Sequence, residues 1–304
     1  MRDLRTLSRA LIAFLALSVF QLPAQEHQPL AQPPAKPGLH SLWKVQGKSN
    51  VVYLLGTIHL LRPTDYPLPQ VMESAFTNSQ IAVFEADIDK ANDPMAALGM
   101  LSKITLPEGK TLQQVLPEKV YNSFSNHAQQ AGIPMMLFDT MKPGMAVTML
   151  ETMQLTKLGA DPEYGEDVHF FKLAKETNRK IIPLETVEFQ LNLFLGFSGP
   201  DEEIMVEKSL EQMDDEKKEY DDMVTAWKTG DSAALEKMLN EMRTDAPAIF
   251  KKLVSDRTAS WLPKVNELLH GSQNAIIIVG AGHLVGPDGL VELLKKQEFK
   301  VNQL

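Results

Sequence analysis

The chain has 304 residues, 44% hydrophobic and 23% charged, with a formal net charge of −9 and no cysteine. That composition can bury a substantial core, as one large domain or two small ones, and it excludes disulfides, thiolate metal sites, a cysteine nucleophile and a lipid-modified cysteine anchor. An acidic surface repels phosphate backbones and anionic lipid, which argues against nucleic acid as a partner.

The first 24 residues stand apart. Arg2, Arg5 and Arg9 precede an apolar run from Ala10 to Phe20, and Ala24 follows Pro23. A basic start, a short apolar stretch and a small-residue end read as a secretory signal cleaved near Ala24. The run is shorter than the roughly 20 residues that span a bilayer, so no stable membrane span is expected after cleavage. Residues 1–24 carry three Arg and one Asp, so removing them takes the formal charge from −9 to −11. The expectation is export, to a periplasm or the outside. Residues 25–39 form a Pro- and Gln-rich tether with little to bury. Residues 40–304 are expected to make a single domain.

Within that domain, SLWKVQ and VVYLLGTIH flank Gly47 to Asn50 and read as a β-hairpin. The continuously apolar Val51 to Leu55 suits a strand covered on both faces. A helix is expected over 68–78, a buried strand over 81–87 (IAVFEAD), and helical structure throughout 91–160, with Gly132 and Gly159 as helix stops. A helix over 166–178 leads to the strand KIIPLE at 180–185. Residues 186–270 form a long, charged, almost wholly helical insert, with main pieces over 201–229 and 247–269. The strand AIIIVG at 275–280, a short helix over 287–296 and an edge strand, FKVNQ, complete the chain. Strands at both ends with helices between them imply an α/β fold whose central sheet is mostly parallel.

One pattern occurs twice. Gly56-Thr57-Ile58-His59 follows VVYLL, and Gly280-Ala281-Gly282-His283 follows AIIIV. Ligands of open α/β sheets bind outside the carboxyl ends of the strands, so both histidines belong on that rim. Glycine there permits a sharp turn and close approach, which gives Gly56, Gly280 and Gly282 a backbone role. Neutral imidazole is a common ligand of borderline divalent metals, and a carboxylate can complete the set. Glu85 and Glu185 end two other apolar strands, where an unpaired carboxylate is costly to bury, so each needs a metal, an arginine or hydrogen-bond donors. Arg257 lies on an amphipathic helix, where it pairs either with Asp256 at the surface or with Glu85 or Glu185 inside. His169 reads as a helix-face residue, and His27, His40, His127 and His270 as surface or boundary residues.

LLGTIHLL, VFEAD, LGADPEYGEDVHFF, PLETVEFQ, DRTASWLP and VGAGHLVGPDGL, in this order and spacing, resemble the TraB/GumN family, which is linked to the Tiki metalloproteases. The resemblance covers about residues 40–300. It implies a metal-binding and catalytic set of His59, His283 and Glu85. The family's aromatic-Gly-x-Asp motif falls on Tyr164, Gly165 and Asp167. Its Leu-Glu-Thr element falls on Glu185, with Gln190 following, and its Arg-Asn-x-x-Trp element on Arg257 and Trp261, where Thr258 replaces the asparagine. Tyr164, Asp167 and Gln190 are taken as substrate-binding and Glu85, Glu185 and Arg257 as catalytic.

The resulting expectation is an exported, metal-dependent, peptidase-like hydrolase. A divalent cation (Mn, Co or Zn) would sit on His59, His283 and Glu85, and a peptide or small molecule would be the substrate. Three alternatives stay open: a metal-independent esterase-like hydrolase with a histidine base, a haem- or metal-binding protein without catalytic activity, and an exported interaction protein whose site has decayed.

Overall fold

The hairpin forms as the alternating apolar runs dictate. In the computed structural model, which describes residues 38–91 and 94–304, β1 (Leu42–Gln46) pairs antiparallel with β2 (Val51–Thr57), Leu42 opposite Leu55. The expected leader, and the tether up to residue 37, lie outside the described residues. Among the described residues no helix is long and apolar enough to cross a membrane.

Four further strands follow: β3 (Ile81–Phe84), β4 (Lys180–Pro183), β5 (Ala275–Gly280) and β6 (Val301–Gln303). Their order is β4-β3-β5-β2-β1-β6. The portion β4-β3-β5-β2 is parallel, whereas β1 runs antiparallel to both β2 and β6. The sheet is therefore mixed: three of its five pairings are parallel, as expected, and β1 alone runs against the other strands, because a four-residue turn can return the chain only antiparallel. Every residue of β3 and β5 is buried, as are all but the first of β2, which accounts for their unbroken apolar sequences.

The helical cover arrives in two blocks. Between β3 and β4 the chain forms Pro94–Ile104, Glu118–Gln130, Pro143–Lys157 and Glu166–Glu176. The stretch expected to be helical throughout is broken before Pro107, Pro117 and Pro143, each of which lacks the N–H a helix interior needs. Gly132 and Gly159 close two of these helices at positive φ, 64° and 91°. Between β4 and β5 lie Val187–Leu195, Pro200–Met213, Glu216–Lys228, Ser232–Asp245 and Asp256–Leu269. A π-helical turn, Lys251–Ser255, leads into the last of these. Because β2, β3, β4 and β5 are parallel, their carboxyl ends share one edge, and each is followed there by a residue marked from sequence.

Candidate functional site

The register of β2 and β5 brings the two Gly-x-x-His turns together. Gly56 lies opposite Val279 and Thr57 opposite Gly280, so the strands end level and side by side. A β-carbon on Gly56 would lie 3.0 Å from the Cα of Ala281, which is why the first turn begins with glycine. The Trp227 indole N–H donates to the Gly56 carbonyl at 2.9 Å, and the Tyr220 hydroxyl to the Leu60 carbonyl at 3.1 Å. Both histidines are buried, His59 with 9% and His283 with 2% of its surface exposed.

Glu85 and Glu185 stand one and two residues beyond β3 and β4, not within them, and their backbones are joined by Glu185 N–H to Glu85 O at 2.8 Å. Between their carboxylates lies Arg257. Its Nη2 donates to Glu85 Oε2 at 2.6 Å and to Glu185 Oε2 at 2.8 Å, while Nε donates to Glu185 Oε1 at 2.9 Å. The interior pairing, not the surface pair with Asp256, is the one formed. Asp256 instead binds Lys251. Gln190 donates its amide to both acids at 3.2 Å, Trp261 donates Nε1–H to Glu185 Oε1 at 2.9 Å, and the Gly280 N–H donates to Glu85 Oε1 at 2.8 Å.

Each histidine is braced through Nδ1. His283 Nδ1 is 2.8 Å from the Thr258 hydroxyl, and its ring packs on Trp261 with centroids 4.4 Å apart. Its Nε2 accepts from Arg257 Nη1 at 3.2 Å and lies 4.0 Å from Glu85 Oε1. His59 Nδ1 stands 3.2 Å from Asp167 Oδ2. Asp167 thus lies behind His59, with 7% of its surface exposed. Tyr164 packs edge-on against Tyr66, whose hydroxyl donates to the Tyr164 carbonyl.

Burial alone would push His59 down, but the charge and hydrogen bond of Asp167 outweigh it and, with Glu85, hold it up at about 9. For His283 burial and the Arg257 charge act together and take it down to about 3, so it is neutral at ordinary pH. Burial would raise Glu85, but Arg257, both histidines and the Gly280 N–H lower it to about 2. Arg257, in turn, is held above its ordinary value: burial would lower it, but the two carboxylates more than offset that.

The TraB/PrgY/gumN family model matches residues 41–303. The chain belongs to this family. Among its relatives, the uncharacterized protein YbaP of Escherichia coli (strain K12) is 25% identical over 256 residues, covering 80% of this chain and 87% of YbaP. The human metalloprotease TIKI1 is 33% identical over 101 residues, 33% of this chain and 19% of that protein. The metalloprotease TIKI2 of Xenopus tropicalis is 34% identical over 90 residues. No solved structure is significantly similar to the chain.

A divalent ion suits the donor chemistry that this TraB/PrgY/gumN chain places at the sheet edge. Ligating histidines characteristically hold their other ring nitrogen on a carboxylate or another polar partner, and Asp167 and Thr258 do this for His59 and His283. As arranged, however, Arg257 engages His283 Nε2. Among the described residues no three His, Cys, Asp or Glu side chains stand close enough together to hold a metal ion. His59, His283 and Glu85 would hold one only with the Arg257 N–H withdrawn from Nε2.

Sequence reasoning missed several supporting residues. Glu166, fully buried, accepts the Ile58 N–H at 3.1 Å and so fixes the residue before His59. It lies inside the aromatic-Gly-x-Asp motif, a signal that was in view. Trp227 and Tyr220 carried no local signal at all. His127, expected near the surface, is buried at 8% exposure, with Nε2 3.7 Å from Asp214. His169 pairs with Glu73 at 2.9 Å, away from Asp167.

Proposed function

We propose that this chain is a peptidase-like hydrolase whose reaction takes place around His59, His283 and Glu85, with a divalent cation of the Mn, Co or Zn type as its cofactor. The observation that supports it most is that His283 Nε2 lies 4.0 Å from Glu85 Oε1 at the shared carboxyl edge of the sheet, where the charge of the same glutamate also acts on His59. A bound divalent ion supplies polarisation of a carbonyl and a lowered pKa for water.

The chain's own residues divide the remaining work. Glu185 commits both oxygens to Arg257 and Trp261, so its part is to hold the guanidinium. Glu85 keeps Oε1 with a single donor, Gly280 N–H, and is the carboxylate that meets water or substrate. A value near 2 suits a ligand or electrostatic role better than proton carriage, which favours a group tuned near the working pH. Arg257 Nη1–H, turned toward His283, is the donor best placed to neutralise charge developing on a substrate oxygen. Beside Glu185 opens a cleft of about 390 Å³, walled by Met100, Pro183, Val187 and Leu191 and rimmed by Asp87 and Lys103, which suits an apolar side chain of a peptide.

The test is a peptide library with the purified protein, chelated and then supplied with Mn²⁺, Co²⁺ or Zn²⁺, alongside metal analysis of wild type, His59→Ala and His283→Ala. Cleavage that returns with the ion and disappears in both variants supports the proposal. Unchanged metal content in both variants overturns it. A second reading, a metal-independent hydrolase using His59 and Asp167 as an acid–base dyad, draws on the Arg257 bond to His283 Nε2. Ester or peptide turnover that survives chelation would select it.

A further inference from the structure

Thr258 braces His283 Nδ1, and its surroundings decide which proton that ring carries. It is fully buried, one residue beyond Arg257, where the π-helical turn passes into the helix Asp256–Leu269. Its hydroxyl has two neighbours: the Val254 carbonyl at 2.8 Å and His283 Nδ1 at 2.8 Å. A hydroxyl has one proton, and a carbonyl can only accept. The proton therefore goes to Val254 O, and the oxygen must accept from Nδ1–H.

The other side of the ring gives the same answer independently. Arg257 Nη1 lies 3.2 Å from Nε2, and a guanidinium has no acceptor, so Nε2 must offer its lone pair. A ring in the Nε2–H form would set two N–H groups against each other and leave Nδ1 facing a hydroxyl already committed elsewhere. Trp261, packed on the same ring and bonded to Glu185, prevents an easy flip about Cβ–Cγ.

We infer that Thr258 is a positioning residue: through the Val254 carbonyl it locks His283 in the Nδ1–H tautomer and presents the Nε2 lone pair to the Glu85–Arg257 cluster. The lock persists when Arg257 releases Nε2, so that nitrogen remains the only one able to bind an ion or take a proton. This use of the lone pair rests on the function proposed above; the tautomer itself does not.

The experiment is long-range ¹H–¹⁵N correlation NMR on the full chain labelled at histidine, at neutral pH, with His283→Gln to assign the signals. Wild type and Thr258→Ser should show a protonated Nδ1 and a lone-pair Nε2 for His283. Thr258→Val leaves Arg257 alone to hold the tautomer, so the Nδ1–H signal should lose its hydrogen-bonded position, the Nε2–H form should become partly populated, and binding of added Co²⁺ should weaken by about 10–100-fold, the usual loss when a ligand's partner is removed. Thr258→Ala makes the same comparison should the valine variant fail to fold. A protonated Nε2 in wild type, or a folded valine or alanine variant in which the Nδ1–H signal keeps both its wild-type position and its full population, overturns the inference. Absence of Co²⁺ binding by wild type would sink the metal proposal alone, since the ring signature is read without the ion.

Discussion

A β-carbon on Gly165 would stand 2.4 Å from the carbonyl oxygen of His59 and 2.8 Å from Asp167 Oδ1. The glycine has φ of −58°, open to any residue, so the requirement is space and not backbone freedom. Gly165→Ala must push the His59 turn away from the helix that carries Asp167. It should destabilise the fold by about 1–3 kcal/mol, as overpacking does, and loosen the His59–Asp167 contact. Urea unfolding measures the first. An unchanged midpoint would mean that the two segments have room to part.

Arg257 is the counter-charge of two buried carboxylates. Arg257→Ala leaves Glu85 and Glu185 facing each other without it, and breaking a buried pair by removing one partner costs about 3–5 kcal/mol. Arg257→Lys keeps the charge but loses the fork, so it should fall between wild type and alanine. In the double variant Arg257→Ala/Glu185→Gln part of the loss should return, with a coupling of about 1–3 kcal/mol. Strictly additive losses would contradict the geometry.

Glu85 and Glu185 should separate kinetically. Glu85→Gln removes the carboxylate nearest His283, with its electrostatic or ligand role, and should lower kcat/KM in the peptide assay by about 100-fold or more. Glu185→Gln, which weakens the hold on Arg257, should act more on stability than on kcat. The reverse ranking would exchange their roles.

Stability should fall on the alkaline side. His59 is held up at about 9 against an ordinary 6.5, so its contribution is fully present below about 6.5 and is lost as pH rises through 9. Denaturation of chelated protein at pH 6 and pH 9.5 should differ by about 1–3 kcal/mol from this group, and His59→Asn should remove that share of the fall. Glu216, pushed up to about 8 by burial and then by Glu219, adds a separate loss between about 4.5 and 8. Glu216→Gln should remove that earlier part and leave the later one.

Much of this site was readable one residue at a time. The two strand-Gly-x-x-His echoes, the acids after IAVF and IIPL, and Arg257 on an amphipathic helix all follow from local pattern, because a buried polar residue at the end of an apolar run must have a partner. What the pattern lacked was the partner's identity. Arg257 is 172 positions from Glu85 and 72 from Glu185, and nothing local says that one guanidinium serves both. The strand lengths were overestimated for the same reason: Glu85 and Glu185 look like strand residues until the neighbouring strands show where pairing stops.

By itself the sequence determined the alternation of buried strands and helical cover, the pair of histidine turns and the family. Only the tertiary structure decided that β5 lies between β2 and β3, so that His59, His283, Glu85 and Glu185 share one edge. It alone decided that Thr258 and Asp167 hold the two imidazoles and that Arg257 lies among the donors. Strand order and side-chain pairing depend on contacts between segments far apart in the chain, and local spacing carries no term for them.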